Sequence, residues 1–98
     1  MALETTRWNT QDYLRGPEEC ALFIEAALEE ALDDPAYIVA ALGEVARAHG
    51  MTKLAAEAGI SREALYKALS EEGNPSFATV IKVLAALGLR LHVEPHTV

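Results

Sequence analysis

Apolar residues recur at spacings of three and four along most of this chain, and a period of two appears only after Gly88. Such stripes build helices, so the chain is confined to a helical architecture. Proline and glycine cut the stripes into pieces. Gly16-Pro17 opens one helix, with Pro17 at the first helical position, where its missing N–H costs nothing. Glu18 and Glu19 follow in the first turn, near the positive end of the helix dipole. Its expected apolar stripe is Ala21, Leu22, Ile24, Leu28, Ala31 and Leu32. Asp34-Pro35 repeats the signal, with Asp34 as N-cap of a helix from Pro35 to about His49 and Gly50 as its C′ residue. Thr52 is expected to cap Lys53 to Ala58, which Gly59 ends, and Ser61 to cap Arg62 to Leu69. Gly73-Asn74-Pro75 marks a loop from Ser70, and Ser76 caps a last helix, Phe77 to Leu87, stopped by Gly88. A further short turn of helix is expected from Thr10 to Leu14. Leu89, Leu91 and Val93 then alternate with Arg90, His92 and Glu94, which predicts a short C-terminal strand that must find a partner.

Ninety-eight residues leave room for one core. Residues 1–34 read as an acidic N-terminal arm and helix, and 35–98 as a helical domain carrying the strand, together one compact unit. The single cysteine, Cys20, excludes an intrachain disulfide and fits an intracellular, cytoplasmic chain. The N-terminal residues lack a basic n-region and an apolar h-region, and no apolar run approaches the roughly 18 to 20 residues that span a bilayer. Neither a signal peptide nor a membrane partner is expected. His49, His92 and His96 are too scattered for a metal site. No nucleophile triad, glycine-rich phosphate loop or carboxylate pair stands out, so neither an enzyme nor a cofactor is expected. Cys20 reads as a buried or half-exposed helical thiol. Trp8, Tyr13, Phe23, Tyr37 and Phe77 read as core or interface anchors, and Trp8, in a patternless arm, is also a candidate to pack on a partner.

Met51 to Ser70 reads MTKLAAEAGISREALYKALS. Ala55 falls where the two short helices must touch, and Gly59, four residues on, falls where the turn needs a positive φ. Leu54, Ala58, Ile60 and Leu65 face a shared core. This is the spacing of a helix-turn-helix, whose second helix enters the major groove of DNA; the bland alternative is a bundle corner with a glycine turn. If Ala64, Leu65, Ala68 and Leu69 point inward, then Ser61, Arg62, Glu63, Tyr66, Lys67 and Ser70 point outward. Arg62 or Lys67 then reaches guanine O6 and N7, and Glu63 accepts from cytosine N4. Tyr66 packs on a thymine methyl or bonds a phosphate. Thr52, with Lys53 beside it and the first N–H groups of their helix, holds a phosphate. The same charges also fit a merely solvated helix face.

Met51 to Leu91, and most specifically SREALYKAL and GNPSF…ALGL, resembles the Cro/CI (XRE) helix-turn-helix class and, more narrowly, the addiction-module antidote proteins, the HigA-like antitoxins. Asp12-Tyr13-Leu14, Pro17-Glu18-Glu19 and Asp34-Pro35 extend the resemblance over roughly residues 8–93. It implies an all-α bundle of about five helices containing a lambda-repressor-like helix-turn-helix, with a short C-terminal β-strand. It also implies the antitoxin of a type II toxin–antitoxin module. Such a protein blocks a RelE/ParE-like ribonuclease toxin by direct binding and, as a homodimer, represses its own operon at a palindromic operator. The DNA-contact positions of the class fall on Ser61, Arg62, Glu63, Tyr66 and Lys67. A phage-type repressor without a toxin and an interaction module that no longer binds DNA remain the rival readings.

Charge bears on both partners. Residues 1–49 carry ten acids and three bases, net −7, whereas residues 50–98 carry five of each. The acidic half is either a solvated face or a surface for a basic partner, and a toxin that binds RNA must be basic. The segment from Met51 to Ser70 is locally +1, with Lys53, Arg62 and Lys67 against Glu57 and Glu63. A dimer of −14, twice the chain's −7, repels DNA, so the toxin complex is expected to bind the operator more tightly than the antitoxin alone. The C-terminal strand is expected to pair either with its copy across a two-fold axis or with a toxin strand.

Overall fold

The computed structural model describes residues 16–31, 33–70 and 72–95. Five helices follow in order: α1 Pro17–Glu30, α2 Pro35–His49, α3 Met51–Ala58, α4 Arg62–Ala68 and α5 Phe77–Ala86. The expected turn at Thr10–Leu14 lies outside the described residues, as do Trp8, Tyr13 and Leu32.

Most helix ends form by the local chemistry the sequence announces. The Asp34 carboxylate accepts from the Tyr37 N–H at 3.4 Å. Ser61 Oγ accepts from the Ala64 N–H at 3.0 Å, and Ser76 Oγ from the Thr79 N–H at 3.1 Å. Each satisfies a donor that the first helical turn leaves free. Gly59 ends α3 at φ 75° and ψ 30°, the left-handed region. The Gly59 and Ile60 N–H groups there donate to the Ala56 and Ala55 carbonyls. Gly88 and Leu89 close α5 by the same double bond, to Ala85 and Leu84. One start differs from expectation. α3 begins at Met51 with Gly50 as N-cap and no side-chain cap, so Thr52 stands inside the first turn rather than capping it. Gly50 already closes α2 by donating to the Ala46 carbonyl, and the chain restarts at once.

Every helix contributes to one core. Val45, Leu54, Leu65 and Val83 are its largest fully enclosed side chains, one each from α2, α3, α4 and α5, and Cys20 of α1 is buried with them. α3 packs on α2, α4 and α5, while α1 packs on α2. Ala55 is buried, as the close approach of α3 and α4 requires, and Ile60 packs against the same cluster. No buried side-chain N or O among the described residues lacks a hydrogen-bond partner.

Two packing expectations are corrected and two are narrowed. α1 buries Cys20 and Ala27 and packs Phe23 and Ile24 on the core, whereas Ala21 and Leu22 are exposed. Positions 20, 23, 24 and 27 form one stripe at i, i+3, i+4 and i+7; the expected list straddled two faces. Ala64 is exposed rather than buried; Leu65 and, at the C-cap, Leu69 are buried on the inner side of α4, with Ala68 partly buried beside them. Of the two roles expected for Tyr37 and Phe77, core or interface anchor, their exposure leaves the interface. Among the described residues, 89–95 form no strand and flank a groove beside Glu25, Leu28 and Glu29 of α1; the pairing expected of them, with a copy or a toxin strand, lies beyond a single chain.

Candidate functional site

Burial of Leu65 and Leu69 against the core turns the remaining positions of α4 outward. Ser61, Arg62, Glu63, Tyr66 and Lys67 are all exposed on α4 or at its cap, Ser70 is exposed just past its end, and Thr52 and Lys53 are exposed on the first turn of α3. None of the eight is used to hold the core. They lie on two consecutive helices joined by the three residues Gly59, Ile60 and Ser61.

Within this set the structure brings two side chains together. The Arg62 guanidinium lies over the Tyr66 ring, 5.0 Å from its centroid, and Arg62 Nη2 donates to the Tyr66 hydroxyl at 3.3 Å. The i, i+4 spacing makes the pair, and the ring face attracts the cation. Arg62 is thereby held against the helix surface instead of swinging free. Ser70 Oγ donates to the Lys67 carbonyl at 3.0 Å, so this hydroxyl is occupied by the helix end. Glu57, the other acid of this region, meets His49 of α2 at 3.1 Å.

A second feature was not foreseen from the sequence. α1 and α2 leave between them a groove of about 620 Å³. Its floor is apolar: Phe23, Ala26 and Ala27 from α1, Ala40 and Ala41 from α2, and Leu69 at one end. Alanine pairs on both helices keep it open, a signal visible in the sequence only once the two helices are known to pack. Its rim is polar. Glu30 accepts from the Tyr37 hydroxyl at 2.9 Å, and Arg47 donates to Glu44 at 3.2 Å. The bond to Glu30, with that carboxylate's charge, holds the Tyr37 phenol above its ordinary pKa. Gly43 lets α2 come close to the end of α4: a Cβ there would stand 3.2 Å from the Leu69 carbonyl oxygen. Leu69 and Ser70 therefore border both the groove and the exposed α4 face.

The remaining titratable candidates are quiet. Burial, with a smaller push from Glu19, raises the Cys20 thiol above its ordinary pKa, which keeps it protonated and unreactive. Among the described residues no group of three His, Cys, Asp or Glu side chains could hold a metal. No helix among them is long and apolar enough to cross a membrane.

The family described as "Probable addiction module antidote protein" matches residues 4–95. The chain belongs to this antidote family. An uncharacterized protein of Haemophilus influenzae is 47% identical to it over 87 residues, covering 89% of this chain and 88% of that protein. No solved structure matches the chain significantly. Membership suggests an antidote, and the antidote family implies a toxin as partner. The antidote family's match takes in α1 to α5, so both the α4 face and the α1–α2 groove lie within it.

Proposed function

We propose that this antidote neutralises a basic RelE/ParE-like ribonuclease toxin by direct binding in the cytoplasm and, as a homodimer, represses its own operon. α3, the Gly59–Ser61 turn and α4 act as a helix-turn-helix of the Cro/CI class, with α4 in the major groove of a palindromic operator. The observation that carries this reading is the outward face of α4: Arg62, Glu63, Tyr66 and Lys67 are exposed together, and none of them supports the core. Arg62, already oriented by Tyr66, and Lys67 reach guanine, and Glu63 reaches cytosine. Thr52 and Lys53 of α3 hold the phosphate backbone, and Ser61 and Ser70 frame the two ends of α4. Phe77 and Ile81, one turn apart on α5 and 71% and 38% exposed, support the dimer, since large apolar side chains in register on one helix mark a contact surface.

A mobility-shift titration with the promoter of this chain's own gene tests the reading. Arg62→Ala and Lys67→Ala should each weaken binding by about 1–3 kcal/mol, the worth of a base-reading contact. Unchanged affinity in both variants would contradict DNA reading by α4 and favour an interaction module that has lost that activity.

A further inference from the structure

We propose that the groove between α1 and α2 is where the toxin docks, and that the occupant is a basic segment of that partner carrying apolar side chains flanked by Lys or Arg. This rests on the antidote reading and adds the surface and the chemistry that fits it. Three observations meet at this groove. The first is its apolar floor, which nothing in the chain's described residues fills. Leu22, one turn before Ala26 and 58% exposed, carries apolar surface outward from it. The second is charge. Residues 16–49 hold eight acids and one base, and that base, Arg47, is already paired with Glu44. Glu30 stands on the α1 rim, bonded only to the neutral Tyr37 hydroxyl, and Glu44 on the α2 rim is paired with Arg47, so a cation flanking an inserted apolar side chain meets the Glu30 charge directly and competes with Arg47 for Glu44. The third is size. The lining runs from Phe23 to Glu30 on α1, about 10 Å, and from Tyr37 to Arg47 on α2, about 15 Å, at the helical rise per residue. That length accepts two apolar side chains one helical turn apart.

The same charge argues against other occupants. DNA is repelled by this face, and two copies of it brought together would set like charges opposite one another. The exposed α5 face bears Lys82 but no acid, so a second copy meets less repulsion there. A floor without polar groups supplies affinity, and the acidic rims supply encounter rate and correct partner choice.

The probe is the product of the neighbouring gene, co-expressed with the full-length chain and then measured by surface binding. Ala26 and Ala40 are exposed, so Ala26→Arg with Ala40→Arg blocks the groove without entering the core, and a thermal melt checks that the fold survives. This pair should weaken binding by about 30-fold or more, as loss of a central interface position does. Glu30→Gln with Glu44→Gln should slow association by about tenfold at low salt and less at high salt. Wild-type affinity in the groove variants overturns the docking site and leaves the antidote reading intact. Retained probe binding with loss of the dimer also overturns it, and assigns the groove to a second copy. No binding by the unaltered chain removes the antidote reading, and the docking site with it.

Discussion

Gly59 holds the turn between α3 and α4 at φ 75°, and no atom stands within 4 Å of where its Cβ would be. Space is therefore not the constraint there; backbone conformation is. Gly59→Ala should cost about 1 kcal/mol, the penalty of a left-handed alanine, and lower the melting temperature by about 4–8 °C in a chain this size. An unshifted melt would mean that the turn relaxes to another geometry. Arg62 and Tyr66 make the second residue-scale case. Sequence spacing placed both outward, but their stacking at 5.0 Å appears only when side-chain directions on the helix are known. Cys20 gives a pH dependence. Its thiol pKa is raised in the folded chain by burial. The unfolded thiol therefore ionises first, so the associated stability is full below about pH 8.5 and is lost as pH rises toward the folded value. Chemical denaturation at rising pH should show an alkaline decline that Cys20→Ala makes shallower.

The elements show where local chemistry decides structure and where it does not. Ser61 and Ser76 cap their helices as their positions announce, because an N-cap bond spans only three residues. Ser61→Ala should cost about 1 kcal/mol by denaturant titration and loosen the start of α4. Thr52 carried the same local signal and was overridden, since Gly50 ends α2 and begins α3 in one residue. The stripe of α1 was misjudged because its partner surface is set by α2, not by α1 itself. The C-terminal alternation forms no strand within one chain, because period two reports extended backbone, whereas a strand also requires a neighbour to bond. The groove was hidden for the same reason: it exists only between two helices. Leu54, enclosed by α3's three neighbours, is the strictest packing test, and Leu54→Ala should cost about 3 kcal/mol.

On the scale of the whole molecule, the division of charge organises the two activities. In the proposed function the acidic α1–α2 half meets a basic toxin, and the neutral half carries the α4 face. A bound basic toxin offsets the negative charge that opposes DNA, and the groove ends at Leu69 and Ser70, beside α4. The complex should therefore bind the operator more tightly than the antidote alone, with the gain shrinking as salt screens it. A mobility shift that does not tighten on adding toxin would contradict this coupling. Neutralisation by direct binding is read out by growth. The neighbouring gene product is induced in cells with and without this chain, and the chain is then purified through a tag. Arrest by that product alone, relief by this chain and recovery of the two as one complex is the predicted result. Growth that is indifferent to both, with nothing recovered on the chain, would contradict it.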